Sequence, residues 1–296
     1  MAVRNSLTKQ NSRLGIGAYL SQDAVKARIN EVVGGKDGQR LITAIISATT
    51  ANKSLQECSN QSILSAALVG ESLKLSPSPQ LGQYYMVPFK NNKQQITEAQ
   101  FQLGYKGYIQ LALRSGQYKK LNVMAIKEGE LVSFNPLEEE IEVNLIQDER
   151  EREEAKTIGY YAMFEYLNGF KKAMYWSREK MESHALKYSK GYQAKKGYTF
   201  WEKDFDGMAY KTMLRQLISK WGIMSIDMQT ALDSDMAVIN DDGTKNYVEN
   251  NDDFIPEEKV VYAEAEVKED NLENAPDEEV TSNEENADDI SKALFG

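Results

Sequence analysis

Apolar and polar positions change their spacing several times along the chain. Near the N terminus they recur at helical intervals. Ser21 stands where an N-cap would, ahead of a helix that runs through Val33 and ends at Gly34 and Gly35. Asp37 opens a second helix whose inward stripe is Leu41, Ile42, Ile45 and Ile46. A third spans residues 61–75, with Ile63, Leu64, Ala67, Leu68 and Leu75 facing inward. Ser76-Pro77-Ser78-Pro79 stops it, because proline has no backbone N–H to give a helix.

The spacing then falls to two. Tyr85, Val87 and Phe89 alternate with polar neighbours, as do Ala99, Phe101 and Leu103, with a polar turn near Asn91-Asn92-Lys93 between them. A short helix over residues 105–115 ends at Gly116. Alternation resumes at Leu121, Val123 and Ala125, and again at Ile141, Val143 and Leu145. Residues 158–176 read as a hairpin with Asn168-Gly169 as a type I′ turn, since both residues tolerate positive φ. Ser177 caps a helix through Tyr188, and a longer helix covers residues 201–222 with Tyr210, Leu214, Leu217, Ile218 and Trp221 as its buried stripe. The order of elements predicts an α+β fold: antiparallel β-hairpins or a curved sheet packed with helices, flanked by an N-terminal helical region and a disordered acidic C-terminal tail.

Composition narrows the setting. The chain has 296 residues, 41% of them hydrophobic, which suffices for a packed core. No apolar run approaches the roughly 20 residues that span a bilayer, and Met1-Ala2-Val3-Arg4-Asn5-Ser6 is no signal peptide. Cys58 is the sole cysteine, which excludes an intrachain disulfide and a cysteine zinc site and fits a cytoplasmic location. The net charge of −10 is unevenly spread. Residues 233–296 hold 21 acidic residues against 4 basic ones, whereas residues 1–232 hold 31 basic against 24 acidic. Residues 137–154 concentrate nine of those acids, so the rest of the body is distinctly basic. This asymmetry suits a polyanion-binding body with an acidic tail; a functionally neutral solvated surface is the alternative. The expected division is a flexible arm over 1–20, a body over 21–232 and a tail over 233–296. After Met236 the tail has too few apolar residues to offset the entropy of ordering it. Its two apolar islands, Asp253-Phe254-Ile255-Pro256 and Ile290-Ser291-Lys292-Ala293-Leu294-Phe295, could dock a partner or be incidental.

Several chemistries lack their motifs. No G-x-x-x-x-G-K-[ST] loop is present, and Gly15-x-Gly17 alone is no nucleotide fingerprint. His184, the sole histidine, lies among charged residues and reads as a surface side chain. The carboxylates Glu138, Glu139, Glu140 and Glu142, or Glu202, Asp204 and Asp206, are the candidates for a metal-dependent nuclease. The first set also reads as a solvated edge, and the second as acids placed at a helix start.

The positive chemistry lies in two basic, aromatic stretches. On the helix over 105–115, Lys106, Gln110 and Arg114 share a face, and Lys119 and Lys120 follow Gly116. Tyr105 and Tyr108 offer stacking faces, or else an ordinary exposed helix carries core tyrosines. The second stretch is Lys190-Gly191-Tyr192-Gln193-Ala194-Lys195-Lys196-Gly197-Tyr198-Thr199-Phe200-Trp201, followed by Lys211 and Arg215 one helical turn apart. Lysines beside aromatics give charge plus stacking without sequence readout, the chemistry of single-strand binding.

Three motifs in order carry a resemblance. Gln80-Leu81-Gly82-Gln83-Tyr84-Tyr85-Met86-Val87-Pro88-Phe89, then Gly104-Tyr105-Lys106-Gly107 with Arg114-Ser115-Gly116, then Met208-x-x-Lys211-Thr212-x-x-Arg215 resemble the RecT single-strand annealing proteins over residues 20–232. The resemblance places a proline before Trp201 where this chain has Phe200. It implies a phage-type recombinase that anneals complementary DNA strands without ATP, has no catalytic site, and works as a homo-oligomer or helical filament in the bacterial host cytoplasm. Its partners would be single-stranded DNA, the annealed duplex intermediate, and a phage exonuclease or host single-strand-binding protein docked through the acidic tail, with no membrane. No cofactor is expected; magnesium is left as a modulator of DNA binding. On this reading Lys106, Arg114, Lys119, Lys120, Lys195, Lys196, Lys211 and Arg215 contact phosphates. Tyr105, Tyr108, Tyr198 and Trp201 stack on bases, and Gln80, Gln83 and Gln110 add hydrogen bonds to the backbone. A passive single-strand coat and a nuclease are the alternatives.

Overall fold

The structure, a computed structural model, describes residues 14–91, 94–197, 199–240 and 242–247, all within one compact unit. Four helices open it: α1 (Ile16–Leu20), α2 (Asp23–Val33), α3 (Gly35–Ala51) and α4 (Asn60–Ser72), with a 3-10 turn at Lys53–Glu57. Gly34, at φ +88°, turns the chain between α2 and α3. The two expected N-caps are displaced: Ser21 closes α1, and Asp37 sits within the first turn of α3. The end of the expected N-terminal arm is part of the body, since Tyr19 and Leu20 are buried and the Tyr19 hydroxyl donates to Gln61 Oε1 at 2.7 Å.

Strands β1 (Tyr84–Asn91) and β2 (Ile96–Leu103) pair antiparallel, Tyr84 opposite Leu103 and Asn91 opposite Ile96. The alternation in β2 is the expected one, with Ala99, Phe101 and Leu103 fully buried against α4. The Ala99 amide also donates to Ser62 Oγ at 2.7 Å and stitches sheet to helix. Helix α5 (Tyr105–Arg114) leads to β3 (Tyr118–Lys127), then to a separate hairpin of β4 (Leu131–Asn135) and β5 (Glu140–Val143), and a short α6 (Glu149–Glu154). Next come β6 (Thr157–Tyr166), β7 (Lys171–Ser177), α7 (Arg178–Tyr188), α8 (Lys190–Gln193), α9 (Phe200–Lys203), α10 (Phe205–Trp221), α11 (Ile226–Ser234), β8 (Ala237–Ile239) and β9 (Lys245–Tyr247). One sheet has the order β1-β2-β8-β9 and a second β3-β6-β7, all antiparallel. The fold is α+β.

Helix α10 packs across the second sheet. Tyr166 on β6 donates to the Trp221 carbonyl at 3.2 Å and accepts from the Ile223 amide at 2.6 Å. At the other end of β6, the Tyr160 hydroxyl donates to Asp206 at 2.5 Å.

Four expectations need correction. The turn between β6 and β7 is not type I′: only Gly169 takes positive φ (+87°), and the Gly169 amide bonds the Tyr166 carbonyl at 3.0 Å. This is the longer loop in which a glycine alone supplies the left-handed residue. The expected helix over 201–222 breaks at Asp204 (φ −145°, ψ 76°), whose carboxylate accepts from the Gly207 amide and caps α10. Trp221 is half exposed rather than buried, with the Lys172 ammonium 3.9 Å from its ring centre. The body also extends past residue 232: Ala237, Val238 and Ile239 are buried and add β8 to the first sheet. Both apolar islands, like the rest of the tail beyond Tyr247, lie outside the described residues.

Candidate nucleic-acid interface

Met208, Lys211, Thr212, Arg215 and Gln216 recur at three- and four-residue intervals, so α10 presents them along one face. Its start is fixed twice: Asp204 caps it, and the preceding α9 is opened by a reciprocal capping box between Thr199 and Glu202. These caps aim Phe200 and Trp201 at the same side.

That face is one wall of an open groove of about 440 Å³. The opposite wall is β1 and β2, through Pro88, Phe89, Gln100 and Gln102, and the end of α7 closes one side with His184 and Tyr188. A smaller cavity of about 170 Å³ shares Gln102, Phe200, Met208 and Lys211 with it and extends to Tyr85 and Tyr105. The lining therefore mixes two cations, uncharged amides and aromatic rings.

The cations have a shared counter-ion. Asp235, at the end of α11, is fully buried. Its carboxylate accepts from Lys211 Nζ at 2.9 Å, from the Leu103 amide at 2.9 Å, from the Tyr108 hydroxyl at 3.2 Å, and from Arg215. Burial works against the Arg215 charge, but Tyr108 and Asp235 outweigh it and hold the guanidinium above its ordinary value. Burial, then the Asp235 charge, push the Tyr108 phenol well up, so it stays a donor. Two positive charges and one negative leave the cluster net positive. Arg215 is the more open of the two cations, its side chain 39% exposed against 10% for Lys211.

Of the predicted site residues, the structure brings Tyr105, Trp201, Lys211 and Arg215 into the lining of these two cavities. Trp201 is largely buried and packs on Phe205 at 5.0 Å between ring centres, so it serves as a wall. Tyr108 is core, fully buried, and presents no ring face to a base. Lys106 and Gln110 are exposed on α5 outside the lining, and Lys106 Nζ lies 6.0 Å from the Tyr105 ring. Arg114 donates to the Leu73 carbonyl at 2.8 Å and pins α5 to the end of α4. Lys119 and Lys120 reach Glu165 on β6 at 2.6 and 3.6 Å. Gln83 accepts from the Ser76 amide at 2.8 Å, which makes it a loop clasp, and Gln80 is exposed. Lys195 and Lys196 are exposed on the loop leading to Phe200, and Tyr198 lies outside the described residues.

Of the two carboxylate sets named for a nuclease, the second serves the fold: Glu202 completes the capping box, Asp204 caps α10, and Asp206 accepts from Tyr160 and lies 3.6 Å from Arg178; in the first set Glu139 pairs with Lys172. Sequence reasoning missed Gln100, Gln102 and Gln216, and it quoted Phe200, Met208 and Thr212 only within a stretch or motif, without a role of their own. The α10 members share the helical interval of Lys211 and Arg215 and could have been read from it.

A model of the RecT family matches residues 39–253, from within α3 past the last described strand. The chain belongs to the RecT family. It is 39% identical over 255 residues to the uncharacterized protein YqaK of Bacillus subtilis (strain 168), covering 84% of this chain and 82% of that protein. It is 31% identical over 221 residues to Protein RecT of Escherichia coli (strain K12), covering 74% and 79%. Membership ties the chain to single-strand annealing and DNA recombination. The three RecT-like motifs have separate jobs here. The first builds β1 and the loop before it, and the third lines the groove. The second is a packing device: a Cβ on Gly104 would stand 2.2 Å from the Gly82 carbonyl oxygen, and one on Gly107 2.1 Å from that of Gln83. Only glycine lets α5 lie this close to the chain entering β1.

Proposed function

We propose that the groove between β1–β2 and α10 holds one DNA strand extended and presents its bases to a complementary strand, with no nucleotide hydrolysed. The observation that carries this reading is the composition of the lining: Arg215 and Lys211 for phosphate, Gln100, Gln102 and Gln216 for uncharged hydrogen bonds, Phe200 and Tyr188 for stacking. None of these groups demands a particular base, as annealing of arbitrary sequence requires. Cations lower the repulsion between two phosphate backbones, and pairing supplies the specificity.

In this reading the protein is an annealing factor rather than an enzyme. It acts as a homo-oligomer that aligns successive grooves, in the cytoplasm of a bacterial host, beside an exonuclease or single-strand-binding protein engaged by the acidic C-terminal segment. Lys195 and Lys196 meet phosphates beside the groove. Lys106, Lys119 and Lys120 add diffuse positive charge rather than fixed contacts. No cofactor is required, and magnesium acts on the DNA.

The test is annealing of two labelled complementary oligonucleotides, added to the protein one after the other, with magnesium and no nucleotide. Rapid duplex formation from intact strands supports the reading. Tight binding without acceleration would make the protein a passive coat, and shortened strands a nuclease. Arg215→Ala should weaken single-strand binding and reduce its salt dependence by about one counterion; an unchanged slope would remove Arg215 from the DNA contact.

A further inference from the structure

Helix α7 carries a row of side chains that the groove only partly uses. His184 and Tyr188 line the groove, and from them the row runs back along the helix to Lys180 and then to Trp176, which lies at the end of β7 and packs on the same helix face. The rings touch in sequence: Trp176 and His184 are 5.5 Å apart between centres, His184 and Tyr188 4.5 Å. Lysines cover the two ends, Lys180 Nζ 4.6 Å from the Trp176 ring and Lys187 Nζ 5.2 Å from the Tyr188 ring. Tyr188 is 51% exposed. The acids of α7 point elsewhere: Glu182 accepts from the Tyr192 hydroxyl, and Glu179 from Ser177 at the helix start. The row spans about 12 Å from Lys180 to Tyr188 at the helical rise.

We propose that this row is a second base-binding track, which takes unpaired bases and phosphates of the strand already lying in the groove. The proposal rests on the groove being a single-strand site. Its charge and its rings both suit a polynucleotide, and it is continuous with the groove through His184 and Tyr188. Burial, then Lys187, hold the His184 imidazole below its ordinary value, so at neutral pH the ring is an uncharged aromatic member of the row. A lysine over an exposed ring is held less firmly than a stacked base. Arriving bases therefore displace Lys180 and Lys187 from the rings, and the ammonium groups turn to the adjacent phosphates.

The full-length protein is titrated with fluorescent oligothymidylate and with an oligonucleotide of equal length whose sugars carry no bases. Tyr188→Ala and Trp176→Ala, the second outside the groove lining, should each weaken binding of the thymidylate by about fivefold or more and leave the abasic strand unaffected; a loss in Tyr188→Ala alone would confine stacking to the groove and overturn the proposal. Lys180→Ala with Lys187→Ala should weaken both. Trp176→Phe, which keeps a ring, should retain wild-type affinity, and thermal midpoints check that each variant folds. Unchanged binding in Tyr188→Ala and in the lysine pair would make the row ordinary surface and overturn the proposal. An equal loss on both strands in Tyr188→Ala would overturn stacking. Unchanged binding with slowed annealing would assign the row to the incoming strand and also overturn it. Wild-type protein that binds no thymidylate would instead refute the groove reading itself.

Discussion

Asp235 joins charge to fold. Its carboxylate receives two cations, a phenol and a backbone amide with no exposure to solvent. Two charged partners repay its desolvation only while the cluster is complete. Asp235→Ala strands the buried Lys211 ammonium and should cost about 3 kcal/mol of stability in urea unfolding. Asp235→Asn keeps the shape and an acceptor and should cost less. The residue also shows a limit of sequence reasoning. In the chain it is one acid among 21 in residues 233–296, and nothing local distinguishes it. Lys211 and Arg215, by contrast, stood out by their helical spacing. Their partner, 20 or more residues away, could not be inferred from that spacing.

At the scale of elements, the packing of α5 and the anchoring of the β4–β5 hairpin make separate predictions. Gly107→Ala would drive a Cβ into the Gln83 carbonyl, a backbone atom that cannot rotate away. A loss of about 1–3 kcal/mol, the usual cost of overpacking, is expected in chemical denaturation. The hairpin is held by Glu130, buried beneath it, whose carboxylate accepts from Arg152 at 2.6 Å and from the amides of Lys127 and Ile146 at 2.8 and 3.2 Å. Burial would raise this carboxyl, but Arg152 and the two amides outweigh it and hold it below the usual range. Its stabilisation is therefore complete above the ordinary carboxylate value of about 4.3 and is lost as pH falls through the lower folded value. Acid unfolding of the wild type should steepen there, and Glu130→Gln should flatten that limb; an identical acid profile would refute the assignment. Element types were legible because period and turn residues are local. The break at Asp204 was not, because Glu202, Asp204 and Asp206 read equally well as the acidic first turn of one continuous helix.

At the scale of the molecule, the charge asymmetry and the fold boundary do not coincide. Excess acid begins near residue 233, yet α11 closes over a buried Ser234, and β8 is the third strand of the first sheet. A chain ending after residue 247 should keep its thermal midpoint. It should also bind single-stranded DNA as tightly as the full chain or more so, because residues 248–296 remove 17 acids and only 3 bases. A chain ending after residue 232 should lose its cooperative transition, since it lacks Asp235 and β8. Circular dichroism melts and fluorescence anisotropy on both truncations check this, and equal melting of the two would place the boundary at 232 after all.

The sequence by itself determined what local periodicity and ordered motifs can encode: the α+β class, most strands and helices, and membership of the RecT family. It also contained the Lys211–Arg215 pair, because a helix face is set by spacing alone. The tertiary structure decided which basic and aromatic residues meet. Tyr105, Trp201, Lys211 and Arg215 came together with Gln100, Gln102 and Phe200, while Tyr108 went to the core and Arg114 to a helix end. The reason is that burial and counter-charge are properties of neighbours in space, here contributed by β1, β2, α7 and α11, segments that lie tens of residues from α10 or beyond it in the chain.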